Sequence, residues 1–156
     1  MATELQEYLA FFGEYPREVD AVLAGLAPAA LNWRPTETGD QDVTNSLAVL
    51  VTHTAGSIEY WVVQVAGGRP VVRDRAAEFL VRASDAEALR QRLAAACAAA
   101  GQALQALTPE QLDETVSAGD RQVTRRWAVL HAIQHGSLHL GHMQLTRQLG
   151  EAGWQT

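Results

Sequence analysis

The sequence predicts an all-α protein, a four-helix bundle built as one domain over residues 1–156. Apolar residues recur at alternating steps of three and four nearly throughout. Four such stripes are separated by breaks that contain Gly or Pro. A chain of 156 residues with 47% apolar content is long enough to close a single core.

The first stripe is Leu5, Leu9, Phe12, Pro16, Val19, Leu23 and Leu26. Pro16 is in phase with it and lacks an N–H, so a kink or a restart is expected there. The second stripe is Leu47, Leu50, Thr54, Ile58, Trp61 and Val65, stopped by Gly67, Gly68 and Pro70. The third is expected to start at Ser84, with Glu87 three residues on in capping-box spacing. It continues through Leu89, Leu93, Ala96, Ala100, Leu104 and Leu107. The fourth is Trp127, Leu130, Gln134, Leu138, Gly141, Leu145 and Leu149, with Gly150 as the expected C-cap.

Between the stripes, Leu26 to Leu31 and Leu107 to Leu112 are alike, each placing a proline (Pro28, Pro109) where a short helical turn can start. The connections after them read as loops, and Arg121 to Thr124 is the one faintly strand-like stretch. The connector at residues 67–83 carries Arg69, Arg73, Asp74, Arg75 and Glu78, a charge pattern that suits a solvated loop. The run from Ala94 to Gly101 is small on every face, so a neighbouring helix can approach closely, within the bundle or across a dimer interface.

Composition excludes several chemistries. All twelve basic residues are Arg, so Schiff-base catalysis, pyridoxal phosphate anchoring and a P-loop lysine are unavailable. Cys97 is the sole cysteine, which excludes an intrachain disulfide, a CxxC pair and a thiolate-rich zinc site. It reads as a small buried apolar group. A net charge of −6 without a basic face argues against nucleic acid. No run reaches membrane-spanning length, and Met1 to Glu4 lacks the basic and apolar regions of a signal peptide, so a cytoplasmic location is expected.

Four of the five histidines, His131, His135, His139 and His142, fall within twelve residues. At about 100° per residue they lie within roughly 80° of one another on a helix. Imidazoles four residues apart are close enough to share one metal ion. The same stripe also suits a polar face turned to solvent. His53, in the second helix, lies at the edge of its apolar stripe. A buried histidine there needs a partner, either a metal or a hydrogen-bonding group of the core.

These residues resemble the DinB-like proteins. Asn45-Ser46-Leu47, His53 and Trp61, then Arg73-Asp74-Arg75 with Glu78-Phe79, are similar to the family's second helix and the connector after it. The run from Leu130 to His142, followed by Arg147, is similar to the family's closing HxxxH helix. The resemblance covers about residues 1–150. It implies an up-down-down-up four-helix bundle, often a homodimer, with a divalent metal on His53, His135 and His139. Zinc or nickel suits such ligands best, and iron is also compatible. His131 corresponds to a position outside the ligand set. His142 stands where the family often has Gln; it is a group supporting the ligands, a general base, or a fourth ligand that closes the site.

Two functions follow from the resemblance. In the first, the protein is a metal-dependent enzyme, a thiol-dependent S-transferase or a hydrolase acting on a small electrophile. A low-molecular-weight thiol is then a cofactor, His142 and Arg147 are the catalytic helpers, and Arg73 or Arg147 binds an anionic cofactor or substrate. In the second, the protein is a non-catalytic, stress-related binder of a metal or small ligand. A homodimer is expected through an apolar helix face, on the grounds of the Ala-rich third helix, Trp61, Trp154 and the family habit.

Overall fold

The computed structural model describes residues 3–36 and 44–153. Trp154, which the sequence offered for a dimer contact, lies outside the described residues. Helix α1 spans Glu4–Leu23 and starts with a capping box in which Thr3 accepts from Gln6 N and the Gln6 side chain returns to Thr3 N. It runs through Pro16 as one helix. Helix α2 is the single turn Pro28–Leu31, with Pro28 at its first position as expected. Helix α3 spans Leu47–Ile58, capped by Ser46, and continues as a π-helical segment, Glu59–Ala66. The turn Arg75–Glu78 is α4, and α5 spans Ala86–Gln105. The cap of α5 is Asp85, accepting from Ala88 N at 2.9 Å, one residue later than the expected Ser84. A carboxylate is a strong cap, and Ser84 donates to it at 3.0 Å.

The connection after Pro109 is more ordered than a loop. A 3₁₀ turn, Glu110–Asp113, leads into an antiparallel hairpin of β1 (Thr115–Ala118) and β2 (Arg121–Thr124), with Val116 opposite Val123. Gly119 opens the two-residue turn at φ +65°, a conformation that favours glycine. Strand β2 runs directly into α6, Arg125–Gly153, where Thr124 Oγ1 accepts from Trp127 N at 3.0 Å. Gly150 is a buried residue inside α6 and does not end it.

Pairs of side chains fix the directions of the four long helices. Helices α1 and α6 are parallel: Glu4 pairs with Arg126, Tyr15 donates to Gly136 O at 2.8 Å, and Arg147 donates to Val22 O at 2.8 Å. Helices α1 and α5 are antiparallel, with Asp20 paired to Arg90 and Leu9 beside Gly101. Glu59 pairs with Arg92, and Gly67 lies beside Ala103, so α3 and its π-helical end run parallel to α5. Trp61 meets Trp127 while His53 meets His139, so α3 opposes α6. The order is up-down-down-up, as the resemblance implied. Helices α1 and α3 occupy one diagonal and α5 and α6 the other, since each of the first pair packs on both of the second.

The stripes predicted for α1, α3 and α5 line the core, which includes Phe12, Val19, Leu23, Leu47, Leu50, Ile58, Leu93 and Leu104. The stripe predicted for α6 does not. Leu130, Leu138, Leu145 and Leu149 are 47–57% exposed, and the buried face is Ala128, Val129, Ala132, Gly136, Met143, Thr146 and Gly150. Small residues occupy that face because α1 packs closely on α6: a Cβ on Gly136 would stand 3.5 Å from the Tyr15 ring. None of the helices is long and apolar enough to cross a membrane, among the described residues.

Candidate metal centre

Helices α3 and α6 bring three of the five histidines together. Among the described residues, His53, His135 and His139 form the group whose nitrogens lie within 4.8 Å of one another. His53 is buried in the middle of α3, while His135 and His139 are half-buried on the α6 face turned toward it. Ring centroids are 5.1 Å apart for His53 and His135, and 5.2 Å for His53 and His139. The Nε2 atoms of His135 and His139 face each other at 3.1 Å. Two nitrogens on one tetrahedral zinc, each at about 2.0–2.1 Å, stand about 3.3 Å apart, so this spacing fits a shared ion.

The surroundings keep these imidazoles neutral, as metal ligands must be. Burial pushes His135 down to about 3, helped by the neighbouring His139 and His53. Burial likewise pushes His139 down to about 4, with His53 and His142 adding to it. His53 is also lowered by burial, against the opposing pull of Glu78. The Nδ1 atoms of His135 and His139 are buried with no hydrogen-bond partner among the described residues. Such under-partnered imidazoles suit a bound cation better than a hydrogen-bonded core.

The partner of His53 is a residue to which the sequence reading assigned no role. Its Nδ1 donates to Glu78 Oε2 at 2.8 Å. Arg73 clamps the same carboxylate, Nε to Oε1 at 2.6 Å and one terminal nitrogen to Oε2 at 2.9 Å. Burial alone would raise Glu78, but the bonds from Arg73 and His53 outweigh it and hold the carboxyl below its usual value. An ionised carboxylate only accepts, so His53 carries its proton on Nδ1 and turns the Nε2 lone pair toward the other two histidines. Glu78 is 6% exposed, so this part of the connector is not the solvated loop that its charge suggested. The one sequence signal was the motif Arg73-Asp74-Arg75 with Glu78-Phe79.

The remaining predicted residues lie around this centre. His142 is exposed and outside the three-nitrogen group, its ring 5.5 Å from that of His139. His131 stacks on Trp127 at 4.8 Å and meets Trp61 edge-on at 4.7 Å, so Trp61 is engaged within its own chain. Arg147 is two turns beyond His139, about 12 Å along the helix. It donates to the carbonyls of Ala21, Val22 and Ala24 at the end of α1, and its Nε pairs with Glu151. Cys97 is buried and its thiol is pushed up to about 12, which leaves it inert.

An up-down-down-up helical bundle with three converging histidines defines a class of bundle with a candidate metal site. The chain belongs to the DinB superfamily, whose family model matches residues 12–143. Three solved structures share the fold. A conserved protein from Enterococcus faecalis is 19% identical with a TM-score of 0.75, covering 96% of this chain and 98% of that one. A DinB-like protein from Bacillus cereus is 16% identical with a TM-score of 0.73, covering 94% and 91%. YfiT from Bacillus subtilis, described as a probable metal-dependent hydrolase with an unusual four-helix bundle topology, is 16% identical with a TM-score of 0.73, covering 96% and 91%. No curated protein sequence matches the chain.

Proposed function

We propose that this protein is a divalent-metal-dependent enzyme in which water or a small thiol attacks a small electrophile, giving hydrolysis or S-transfer. The observation that carries this reading is the number of histidines in the cluster: three neutral imidazoles, with His142 outside the group. Zinc sites with three protein ligands keep a position open for chemistry, whereas structural sites have four. An ion held by these three side chains would supply Lewis acidity and lower the pKa of a water or thiol bound to it. The description of YfiT as a probable metal-dependent hydrolase supports the hydrolytic branch.

The chain's own residues do the rest. His53, His135 and His139 hold the ion, and zinc or nickel suits three imidazoles, with iron compatible. His142, exposed beside His139, is placed to accept a proton from the nucleophile. Arg73 and Arg147 are committed to Glu78 and to the end of α1, so an anionic cofactor is not assigned to either. The exposed leucines of α6 offer the surface for a second copy of the chain.

The test is to load the metal-free protein with cobalt and add bacillithiol, mycothiol or glutathione. A sulfur-to-metal charge-transfer band supports the S-transfer branch; metal-dependent cleavage in a panel of esters and amides supports the hydrolytic one. Stoichiometric metal binding with neither signal makes the protein a non-catalytic metal binder.

A further inference from the structure

Gly56 sits on the same face of α3 as His53, three residues on, and its backbone does not require glycine. It lies inside a regular helix, and among the described residues the glycines with positive φ are Gly25, Gly68 and Gly119. What residue 56 cannot have is a side chain. A Cβ there would stand 2.1 Å from Glu78 Oε1, 2.9 Å from Glu78 Cδ and 3.1 Å from Arg73 Nε. The Glu78 carboxylate thus lies flat on the helix in the space that glycine leaves. Glycine lowers helix propensity in a helix interior, so its use here needs a compensating role.

Three other features deliver the carboxylate to that spot. Asp74 caps the short helix α4 by accepting from Ala77 N at 3.0 Å, and Glu78 ends that helix. Arg73 grips both oxygens, which fixes the carboxylate plane. Phe79, the next residue, packs on the His53 ring with centroids 4.9 Å apart. The imidazole is therefore held by a hydrogen bond at Nδ1 and by an aromatic ring against its side.

We propose that Gly56, Arg73 and Glu78 form a seat that positions His53: the carboxylate, lodged over Gly56 and clamped by Arg73, fixes the ring's tautomer and direction so that Nε2 is presented to a metal ion. The inference rests on the reading of the three histidines as a metal centre. These are positioning residues, acting through His53 and touching neither ion nor substrate. Carboxylate partners of this kind characteristically change metal affinity by about 10–100-fold when removed.

The experiment compares the full-length wild type with Glu78→Ala, Glu78→Gln, Gly56→Ala and the double variant Gly56→Ala/Glu78→Ala. Two signals are read: the His53 tautomer in the metal-free protein by ¹⁵N NMR, and zinc affinity by competition with a chromophoric chelator. The wild type should show a single Nδ1–H tautomer. Glu78→Ala and Gly56→Ala should each lose it and bind zinc about 10–100-fold more weakly. The double variant should be no weaker than the worse single, because Gly56 acts only by making room for Glu78. Should Glu78→Ala not fold, Glu78→Gln keeps the shape while removing the charge, and it should lose the single tautomer and weaken zinc binding. Folded Glu78 variants with wild-type tautomer and affinity overturn the proposal, as does a Gly56→Ala loss that adds in full to that of Glu78→Ala. A wild type with the fixed tautomer but no zinc binding sinks the metal reading and leaves the tautomer role of the seat standing.

Discussion

The Nε2 atoms of His135 and His139 face each other at 3.1 Å on one side of α6, while the Nδ1 atoms of the same rings are buried without a hydrogen-bond partner among the described residues. One proton at most can lie between the two Nε2 atoms, so one interaction serves two buried rings. A cation between them, completed by His53 from α3, uses the lone pairs that are otherwise opposed. The first expected outcome is loss of the ion on deleting any of the three. His139→Ala and His53→Ala should carry no stoichiometric metal by elemental analysis of untagged protein. Metal at 100 times its dissociation constant stabilises the folded wild type by about 2.7 kcal/mol, or roughly 5–10 °C in melting temperature. The variants should show no such rise; full occupancy in His139→Ala would remove the assignment.

The depressed imidazoles make a prediction about acid. An unfolded histidine takes up its proton near 6.5, whereas folded His139 and His135 do so only at about 4 and about 3. Between these values the unfolded chain binds more protons, so protons favour unfolding. This contribution is complete above about pH 6.5 and is lost as pH falls toward 3. Urea unfolding of the metal-free protein should therefore show stability that declines with acid over that window. In the double variant His135→Ala/His139→Ala the slope should be shallower by up to two protons, one for each deleted imidazole. Equal slopes would show that these rings titrate normally.

The same chemistry explains which parts of the site were legible. Histidines at steps of three and four on a helix share a face by geometry alone, so the stripe of His131, His135, His139 and His142 could be read directly. His53 stood out as the only histidine outside it, and the resemblance to the family singled out His53, His135 and His139. Glu78 could not be read this way. A carboxylate among arginines in a connector looks solvated, and its role depends on contact with a ring 25 residues away, over a glycine whose purpose is space. The fold was legible in α1, α3 and α5, where large apolar residues mark the buried face. It was misread in α6, where close packing selects Ala128, Ala132 and Gly136 for the inside and leaves the leucines outside. Hydrophobicity alone points to the wrong side of a helix whose core face is small. The hairpin was half visible: the two strands are equally short, four residues with two β-branched side chains each, and only Arg121 to Thr124 was read as strand-like.

His142→Gln separates holding the ion from using it. The residue is exposed and outside the ligand group, so zinc affinity should match the wild type. If His142 takes the proton from the nucleophile, metal-dependent turnover should drop by about 100-fold or more, in kcat rather than KM. A variant with reduced metal content would instead place His142 among the ligands, and one with unchanged turnover would remove it from the reaction.

The last prediction concerns the outer face of α6. Leu130, Leu138, Leu145 and Leu149 span 20 residues, about 28 Å of helix, and all are exposed. Gln134 and Gly141 lie between them on the same side, so the stripe carries no charge. A surface without charge cannot be matched by sign to a charged partner, but it can be matched to itself. In an antiparallel pairing about a two-fold axis near residue 140, Leu130 of one copy meets Leu149 of the other, and Leu138 lies close to the axis. Gly141, which has open space at its Cβ position, lets the two helices approach there. The expected state in solution is therefore a homodimer joined along α6. Leu138→Arg places two like charges near the axis, and Leu145→Arg places one on each side. In sedimentation equilibrium at micromolar concentration, the wild type should have the mass of two chains and both variants that of one. Their helix content and metal stoichiometry should be unchanged, because these side chains lie outside the core and outside the three-histidine group. A wild type with the mass of one chain would remove the dimer while leaving the bundle and its metal centre intact.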